Sequence, residues 1–381
     1  MNGDQPKVPE PTLLRGKEAV ALWGQGRDVW NAWINDNSDA KIDFSRVNFS
    51  TMTQPKDRRW FPGYQFGKGG VTFSGAAFGP GGVSFDRATF CNGSVLFVGA
   101  AFVNGGVSFK DAAFGDCDMS LDRVICARLN FSPRVIGSGN FSASGMKVDG
   151  PATFRLPPSA IALKQFDLRG SVFEGPLTLE GKLTTPPDLR SVKAAHHVEL
   201  SGLAVNLRLG KWRWSWPPNL SRVAEDPEDA ARLRRLKEIA ENNRDHRAAL
   251  RFSADENRAR RWHETPWLAS VLDMAFSGIS SYGQSISRPA VGLLLLWGAV
   301  TMLYQSIACP ALADWQQAAR LSLSNSLPFL PQSRTLRIDA SKALFGDTTS
   351  MLIDSAMVFQ GTASFVLLFL IGLGLRNRFR L

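Results

Sequence analysis

Residues 71–114 read VTFSGAAFGPGGVSFDRATFCNGSVLFVGAAFVNGGVSFKDAAF. Phenylalanine recurs in this stretch in alternating steps of five and seven residues, which gives a compound period of twelve. A small or branched apolar residue stands two positions before each phenylalanine, and turn-forming residues fill the intervals. Neither step fits the 3.6-residue period of a helix, so the pattern predicts short strands separated by turns. The predicted core positions are Phe73, Phe78, Phe85, Phe90, Phe97, Phe102, Phe109 and Phe114.

A fixed short period of this kind is typical of a solenoid, in which each coil stacks on the next. Each inward-facing phenylalanine then contributes about 1.5–3 kcal/mol through burial. We expect a coil of about 24 residues with four faces, and a coil of about 12 residues is the alternative. The period blurs after Leu121, but strand-like composition continues to about residue 212, and the prolines that follow Trp212, Trp214 and Trp216 predict a boundary. We assign a β-helix to residues 41–216.

The tetrapeptides GAAF, RATF, GAAF and DAAF, which end at Phe78, Phe90, Phe102 and Phe114, resemble pentapeptide repeats. This resemblance implies a right-handed, four-sided β-helix, although here two residues are inserted in every second repeat. Residues 1–40 are predicted to form an N-terminal tail and a cap helix that carries Trp23, Trp30 and Trp33 at residues 16–35. A similar tryptophan-bearing helix precedes many pentapeptide-repeat domains, and it would cover the open end of the solenoid.

Charge and motif content exclude several classes of function. Some pentapeptide-repeat proteins imitate DNA and bind topoisomerases, but residues 41–213 carry 21 Lys/Arg against 13 Asp/Glu, the wrong sign for a DNA mimic. A topoisomerase-binding DNA mimic is therefore only a remote alternative. The chain has a net charge of +10, but its sequence shows no concentrated basic patch with groove-reading motifs. We therefore expect no nucleic acid partner. The cysteines lack metal spacing and no catalytic motif is present, so we expect neither an enzyme nor a metal or other cofactor.

Residues 217–264 are predicted to form a charged helical hairpin connector, because two apolar stripes flank the polar break at residues 242–245. Residues 233–262 are similar to a segment that links the solenoid to a pair of membrane spans in bacterial pentapeptide-repeat proteins. Apolar residues at near-helical spacing predict a further helix within residues 265–288. This helix lies in the membrane interface or packs on protein.

Two runs without charged residues, 289–307 and 356–375, lie within the last predicted segment, residues 289–381. Each run would form a helix about 28–30 Å long, close to the thickness of the hydrocarbon core. Arg288 precedes the first run, and Arg376, Arg378 and Arg380 follow the second. The positive-inside rule then places both termini in the cytoplasm of a multi-pass protein. The resemblance implies the bacterial inner membrane.

The loop between the runs predicts a short helix at residues 314–326, which the prolines of LPFLP at residues 327–331 end. A span, a short helix, an extended stretch and a second span are the layout of pore-loop channels. Irregular backbone inside a membrane must be covered by protein or water, so several copies, most simply four, are expected. No TVGYG-like filter is present, so potassium selectivity is not expected. The candidate pore-lining residues are Asn325, Ser326, Leu327, Pro328, Phe329, Gln360 and Ser364.

The sequence thus predicts an ion-channel-like membrane pore with a cytoplasmic pentapeptide-repeat domain. Its partners would be the lipid bilayer, further copies of the chain and a protein bound to the β-helix. The alternative is a membrane-anchored scaffold, in which the β-helix binds a protein partner and the spans only tether it. Gln360 and Ser364 fit helix packing as well as a pore.

Overall fold

A computed structural model describes residues 12–52, 60–210, 223–308, 314–327, 329–346 and 349–379. Trp212, Trp214, Trp216, Pro328 and Arg380 of the sequence predictions lie outside these residues. The chain divides into two compact units, Met1–Glu264 and Thr265–Leu381. The first unit contains a long run of parallel strands, and the second is helical with two apolar helices.

The strands of the first unit are short, as the phenylalanine spacing predicts. They are β1 Leu13–Arg15, β2 Lys41–Asp43, β3 Gln65–Phe66, β4 Val71–Thr72, β5 Ala77–Phe78, β6 Val83–Ser84, β7 Thr89–Phe90, β8 Val95–Leu96, β9 Ala101–Ser108, β10 Ala113–Phe114, β11 Met119–Ser120, β12 Ile125–Phe131, β13 Val135–Ile136, β14 Gly139–Ser142, β15 Lys147–Val148, β16 Ala152–Arg155, β17 Leu163–Asp167, β18 Val172–Phe173, β19 Leu177–Leu183, β20 Lys193–Ala194, β21 Val198–Glu199 and β22 Leu203–Val205. Two 3-10 helices, Phe49–Thr51 and Pro158–Ala162, interrupt them.

The strands pair in parallel within three sheets of seven, four and eleven strands. The seven-stranded sheet has the order β1-β2-β4-β8-β11-β14-β17, and the four-stranded sheet has the order β13-β10-β7-β3. Val71 pairs with Val95, and Val95 pairs with Met119, so partners in this region are 24 residues apart rather than 12. The spacing then becomes irregular, because Met119 pairs with Phe141, 22 residues on, and Phe141 pairs with Phe166, 25 residues on. The strand β1 precedes residue 41 and pairs in parallel with β2.

The repeated phenylalanines form four stacks in the interior. Ring centroids are 4.8 Å apart for Phe73 and Phe97, 4.7 Å for Phe78 and Phe102, 5.1 Å for Phe85 and Phe109, and 4.8 Å for Phe90 and Phe114. These distances match the spacing of neighbouring strands, about 4.8 Å, because each ring lies above its equivalent on the paired strand. All eight rings are at most 1% exposed. Their burial and stacking hold the strands in register.

A left-handed residue recurs every twelve positions at the corners, where the chain turns between strands. Gly75 and Gly99 have φ of 66°, and Arg87, Asp111 and Arg123 have φ between 56° and 59°. Glycine adopts this conformation without strain, whereas an L side chain costs about 1–2 kcal/mol. The turn geometry is therefore set by the stacked core rather than by glycine alone.

Two helices, α1 Gly16–Gly24 and α2 Arg27–Asp36, replace the single helix predicted at residues 16–35. Gly26 has φ of 101°, which a continuous helix cannot contain. The break lets both indole rings turn inward. Trp23 Nε1 donates to the Trp60 carbonyl at 3.0 Å, and Trp30 Nε1 donates to the Gln65 carbonyl at 2.8 Å.

A helical hairpin, α3 Asp229–Asn242 and α4 His246–Arg260, closes the first unit. Asp245 caps α4 by accepting from the Ala248 N–H at 3.0 Å. A cluster of charged residues joins α3 to the strand-rich region. Arg232 donates to Asp226 at 2.6 Å and to Asp229 at 2.8 Å, and its Nε lies 3.7 Å from Asp188.

The second unit contains five helices in its described residues: α5 Trp267–Ser280, α6 Ser287–Ile307, α7 Trp315–Ser326, α8 Ser333–Phe345 and α9 Met351–Phe379. The helix α8 corrects the prediction of an extended stretch between the short helix and the second apolar run. Pro331 lies before α8 and so does not interrupt it. Leu336, Ala340 and Leu344 follow at four-residue intervals, and Ala340 and Leu344 are buried.

Candidate functional site: the polar network between α6, α7 and α9

The helices α6 and α9 are long and apolar enough to cross a membrane, and their side chains are mostly exposed within the chain. Only 17% of the apolar window of each helix is buried. Leu294 is 65% exposed, Leu295 68% and Phe365 66%. The core helix of a soluble protein would bury these residues, so their surface requires lipid or another protein as cover.

The helix α7 lies against the centre of α6. Asp314 caps α7 by accepting from the Gln316 N–H at 2.8 Å. Trp297 Nε1 donates to the Ala319 carbonyl at 3.3 Å, and Ser322 Oγ donates to the Trp297 carbonyl at 2.9 Å. Trp297 is the middle residue of Ser287–Ile307, ten residues from either end. Two bonds therefore fix the short helix half-way along the longer one.

Gln360 of α9 is the centre of a buried polar network. Its side chain is fully buried, and both ends of the amide are bonded. Nε2 donates to the Ser322 carbonyl at 2.9 Å, to Ser322 Oγ at 2.8 Å and to Ser326 Oγ at 3.0 Å. Oε1 accepts from the Tyr304 hydroxyl at 3.0 Å and from Asn325 Nδ2 at 3.1 Å. One amide thus joins all three helices.

Asn325 provides a second link from α7 to α9, because its Nδ2 also donates to the Met357 carbonyl at 2.7 Å. Apolar side chains enclose the network. Tyr304 packs edge-on against Phe345 of α8, with ring centroids 6.2 Å apart. In apolar surroundings a broken hydrogen bond is not replaced by water, so the network favours one position of α7 over others. The remaining buried members of this cluster are Val300, Ala308, Ala318, Leu321, Ala340, Leu344 and Ile353.

The candidate pore-lining residues occupy different environments. Asn325, Ser326 and Gln360 come together in the buried network, where each has partners within one chain. Ser364 is fully buried, and its Oγ has no hydrogen-bond partner among the described residues. Leu327 is half-buried and Phe329 is 66% exposed. Pro328 lies outside the described residues.

Sequence reasoning missed Tyr304 and Ser322. Tyr304 is one of the few side chains with a hydrogen-bonding group in its apolar run, and a full inventory of such groups would have found it. Ser322, Asn325 and Ser326 are spaced at i, i+3 and i+4, which places them on one helix face. That spacing was the available signal for a polar face on α7.

Several ionisable groups of the first unit have pKa values that burial and hydrogen bonds shift. Burial raises the pKa of the Cys117 and Cys126 thiols to about 12, so they are unreactive at neutral pH. Burial raises the pKa of Asp229 to about 6, although the positive charge of Arg232 opposes this rise. Burial also favours a higher pKa for Asp188, but hydrogen bonds from Arg190 outweigh it and lower that pKa. The described residues contain no cluster of His, Cys, Asp and Glu that could hold a metal ion.

No family model matches the chain, and comparison with curated proteins and with solved structures gives no match.

Proposed function

We propose that this chain is a bacterial inner-membrane protein whose second unit assembles, as several copies, into a pore-loop conduit for ions. In this proposal α6 and α9 span the bilayer and α7 is the re-entrant helix between them. The observation that carries it is the position of α7, which contacts Trp297 at the centre of α6. If α6 spans, α7 lies about 15 Å inside the hydrocarbon region, because ten residues of helix separate Trp297 from Ile307.

A helix at this depth needs neighbours on every side that carries polar groups. Within one chain, α6, α8 and α9 cover only part of α7, and the polar side chains of Gln316 and Arg320 are exposed. Further copies of the chain, with a water-filled path between them, would cover the rest, which supports an oligomer. Four copies around an axis are the simplest closed arrangement consistent with the pore-loop layout.

In the same proposal the strand-rich unit is a right-handed, four-sided β-helix of the pentapeptide-repeat type. The 24-residue register of the parallel pairs and the four phenylalanine stacks support four faces per coil. Arg288 at the start of α6 and Arg376 and Arg378 in the last turn of α9 support a cytoplasmic location for both termini.

The second candidate is a membrane-anchored scaffold whose β-helix binds a protein partner. One observation favours it: the hydrogen bonds of Gln360 are satisfied within a single copy, so the helical unit needs no neighbour to fulfil them. Replacing residues 289–381 with an unrelated two-span anchor would preserve the cellular function of a scaffold and abolish that of a conduit.

The mass of the full-length protein in lipid nanodiscs tests the proposed assembly. A conduit predicts a particle of several copies, most simply four. A monomer in lipid contradicts the conduit, because one pair of spans cannot enclose a water-filled path. The particle must be measured in lipid rather than in detergent, since detergent competes for the same apolar surfaces.

A further inference from the structure

The helix α7 carries one charged residue, Arg320, and that residue is exposed. It lies on a stripe with Gln316 and Leu323, spaced at i, i+4 and i+7, and all three are exposed. The opposite face of α7 is buried against the rest of the unit through Ala318, Leu321, Ser322 and Asn325. The Arg320 side chain therefore leaves α7 on the side that one copy of the chain does not cover.

The position of Arg320 along the spans follows from its neighbours. Arg320 lies between two residues of α7 that are hydrogen-bonded to Trp297 of α6. The Ala319 carbonyl accepts from Trp297 Nε1, and Ser322 Oγ donates to the Trp297 carbonyl. Because Trp297 is about 15 Å from the end of α6, Arg320 lies near the middle of the apolar length. A charged side chain at this depth does not face lipid; it faces protein or a water-filled cavity.

Among the described residues, Arg320 forms no ion pair with an acidic residue of its own copy. Asp314 is at the first end of α7 and is bonded to the Gln316 N–H, and Asp354 is in the first turn of α9 and accepts from Thr349 Oγ1 at 2.9 Å. Both lie towards the loop-side ends of their helices. In a symmetric ring, each copy would place its own Arg320 at the same depth, and like charges repel unless water and anions lie between them.

We propose that Arg320 lines the water-filled path of the conduit and that the conduit favours anions. This inference rests on the proposed function and deepens it by naming the class of permeant ion. Rings of Arg or Lys side chains are a known physical basis of anion selectivity, because they lower the energy of an anion in a constriction and raise that of a cation.

The first test measures access of water to position 320, independently of any current. Arg320→Cys, in the full chain with its native cysteines replaced by serine, is treated in liposomes with membrane-impermeant thiosulfonates of either charge. We expect labelling, while Leu294→Cys, exposed on α6 where we place lipid, stays unlabelled. Failure of Arg320→Cys to label overturns the inference, because Arg320 is then buried between copies.

The second test measures the reversal potential in planar bilayers under a KCl gradient. The wild type is expected to prefer chloride, and Arg320→Gln to lose about tenfold or more of that preference, since each copy loses a full charge. Arg320→Lys should keep the preference, which separates charge from misfolding. Arg376→Gln, an equal charge change in the last turn of α9, should leave the preference unchanged.

The two tests separate the inference from the proposal on which it rests. A wild-type current carried mainly by cations overturns the inference and leaves the conduit standing. Arg320→Gln with unchanged chloride preference does the same. Absence of any wild-type current overturns the conduit, and the anion preference with it.

Discussion

Replacing Gln360 with leucine should release α7 from α9 while leaving the apolar packing in place. The amide takes part in five contacts, and its two donors and one acceptor support about four hydrogen bonds at a time. At about 0.6 kcal/mol for each hydrogen bond inside a membrane protein, Gln360→Leu should cost roughly 2–3 kcal/mol. The substitution also leaves the fully buried Tyr304 hydroxyl without its acceptor, and this unsatisfied group adds to the cost.

Hydrogen exchange read by mass spectrometry measures this cost locally. Peptides from Trp315–Ser326 should lose protection by roughly 30- to 150-fold, since each 1.4 kcal/mol is a factor of ten. Peptides from α3 and α4 should not change. The matched control is Gln305→Leu in α6, because the Gln305 side-chain oxygen is buried without a hydrogen-bond partner among the described residues. Equal exchange of α7 in the two variants would refute the role of Gln360.

Three further predictions concern pairs of matched changes and one pH profile. Ser322→Ala should lower the free energy of thermal unfolding by about 1–3 kcal/mol, because it removes hydrogen bonds to α6 and α9. Ser364 is equally buried but has no hydrogen-bond partner among the described residues, so Ser364→Ala should leave the stability unchanged. Equal losses of stability in the two variants would contradict the network. Phe97→Ala should destabilise the strand-rich unit by about 3–5 kcal/mol in urea, against less than about 0.5 kcal/mol for Val103→Ala, which is exposed; similar midpoints would argue against the stacked core. Asp229, with its pKa raised by burial from 3.8 to about 6, binds a proton more tightly in the folded state, so its contribution is present below pH 4 and is lost as pH rises through 6. Asp229→Asn should remove that loss of up to about 3 kcal/mol, and a profile of urea midpoints that is unchanged between pH 4 and 7 would be inconsistent with the raised pKa.

The sequence was sufficient for the strand-rich region and insufficient for its register. The steps of five and seven residues predict strands and inward rings, and the structure confirms parallel short strands. A 12-residue repeat would stack Phe73 on Phe85, and a 24-residue repeat would stack Phe73 on Phe97. Both repeats therefore place phenylalanine on phenylalanine. The observed strand pairs, such as Val71 with Val95 and Ala77 with Ala101, distinguish the two.

Misses in the helical regions have different causes. A glycine at position 26 signals a break, but the inward position of Trp23 and Trp30 involves partners 37 and 35 residues away, which the local sequence does not specify. The prolines before α8 favour an extended stretch, whereas the apolar residues after them recur at helical spacing and the structure has a helix there.

The polar network is a different kind of case. Gln360 was conspicuous in an apolar run, but its partners lie 34 to 56 residues away in sequence. Neither periodicity nor local propensity determines contacts of that separation. The side chain could therefore be selected from the sequence as a candidate, whereas its neighbours and its burial could not be predicted.

Electrical recording from the full-length protein in planar bilayers tests the central claim most directly. The claim is that α7, fixed at mid-depth by Gln360, completes a conduit between the spans of several copies. It predicts discrete current steps from the wild type and from Gln305→Leu, and loss of those steps in Gln360→Leu. A folded, oligomeric wild-type protein that passes no current would contradict it.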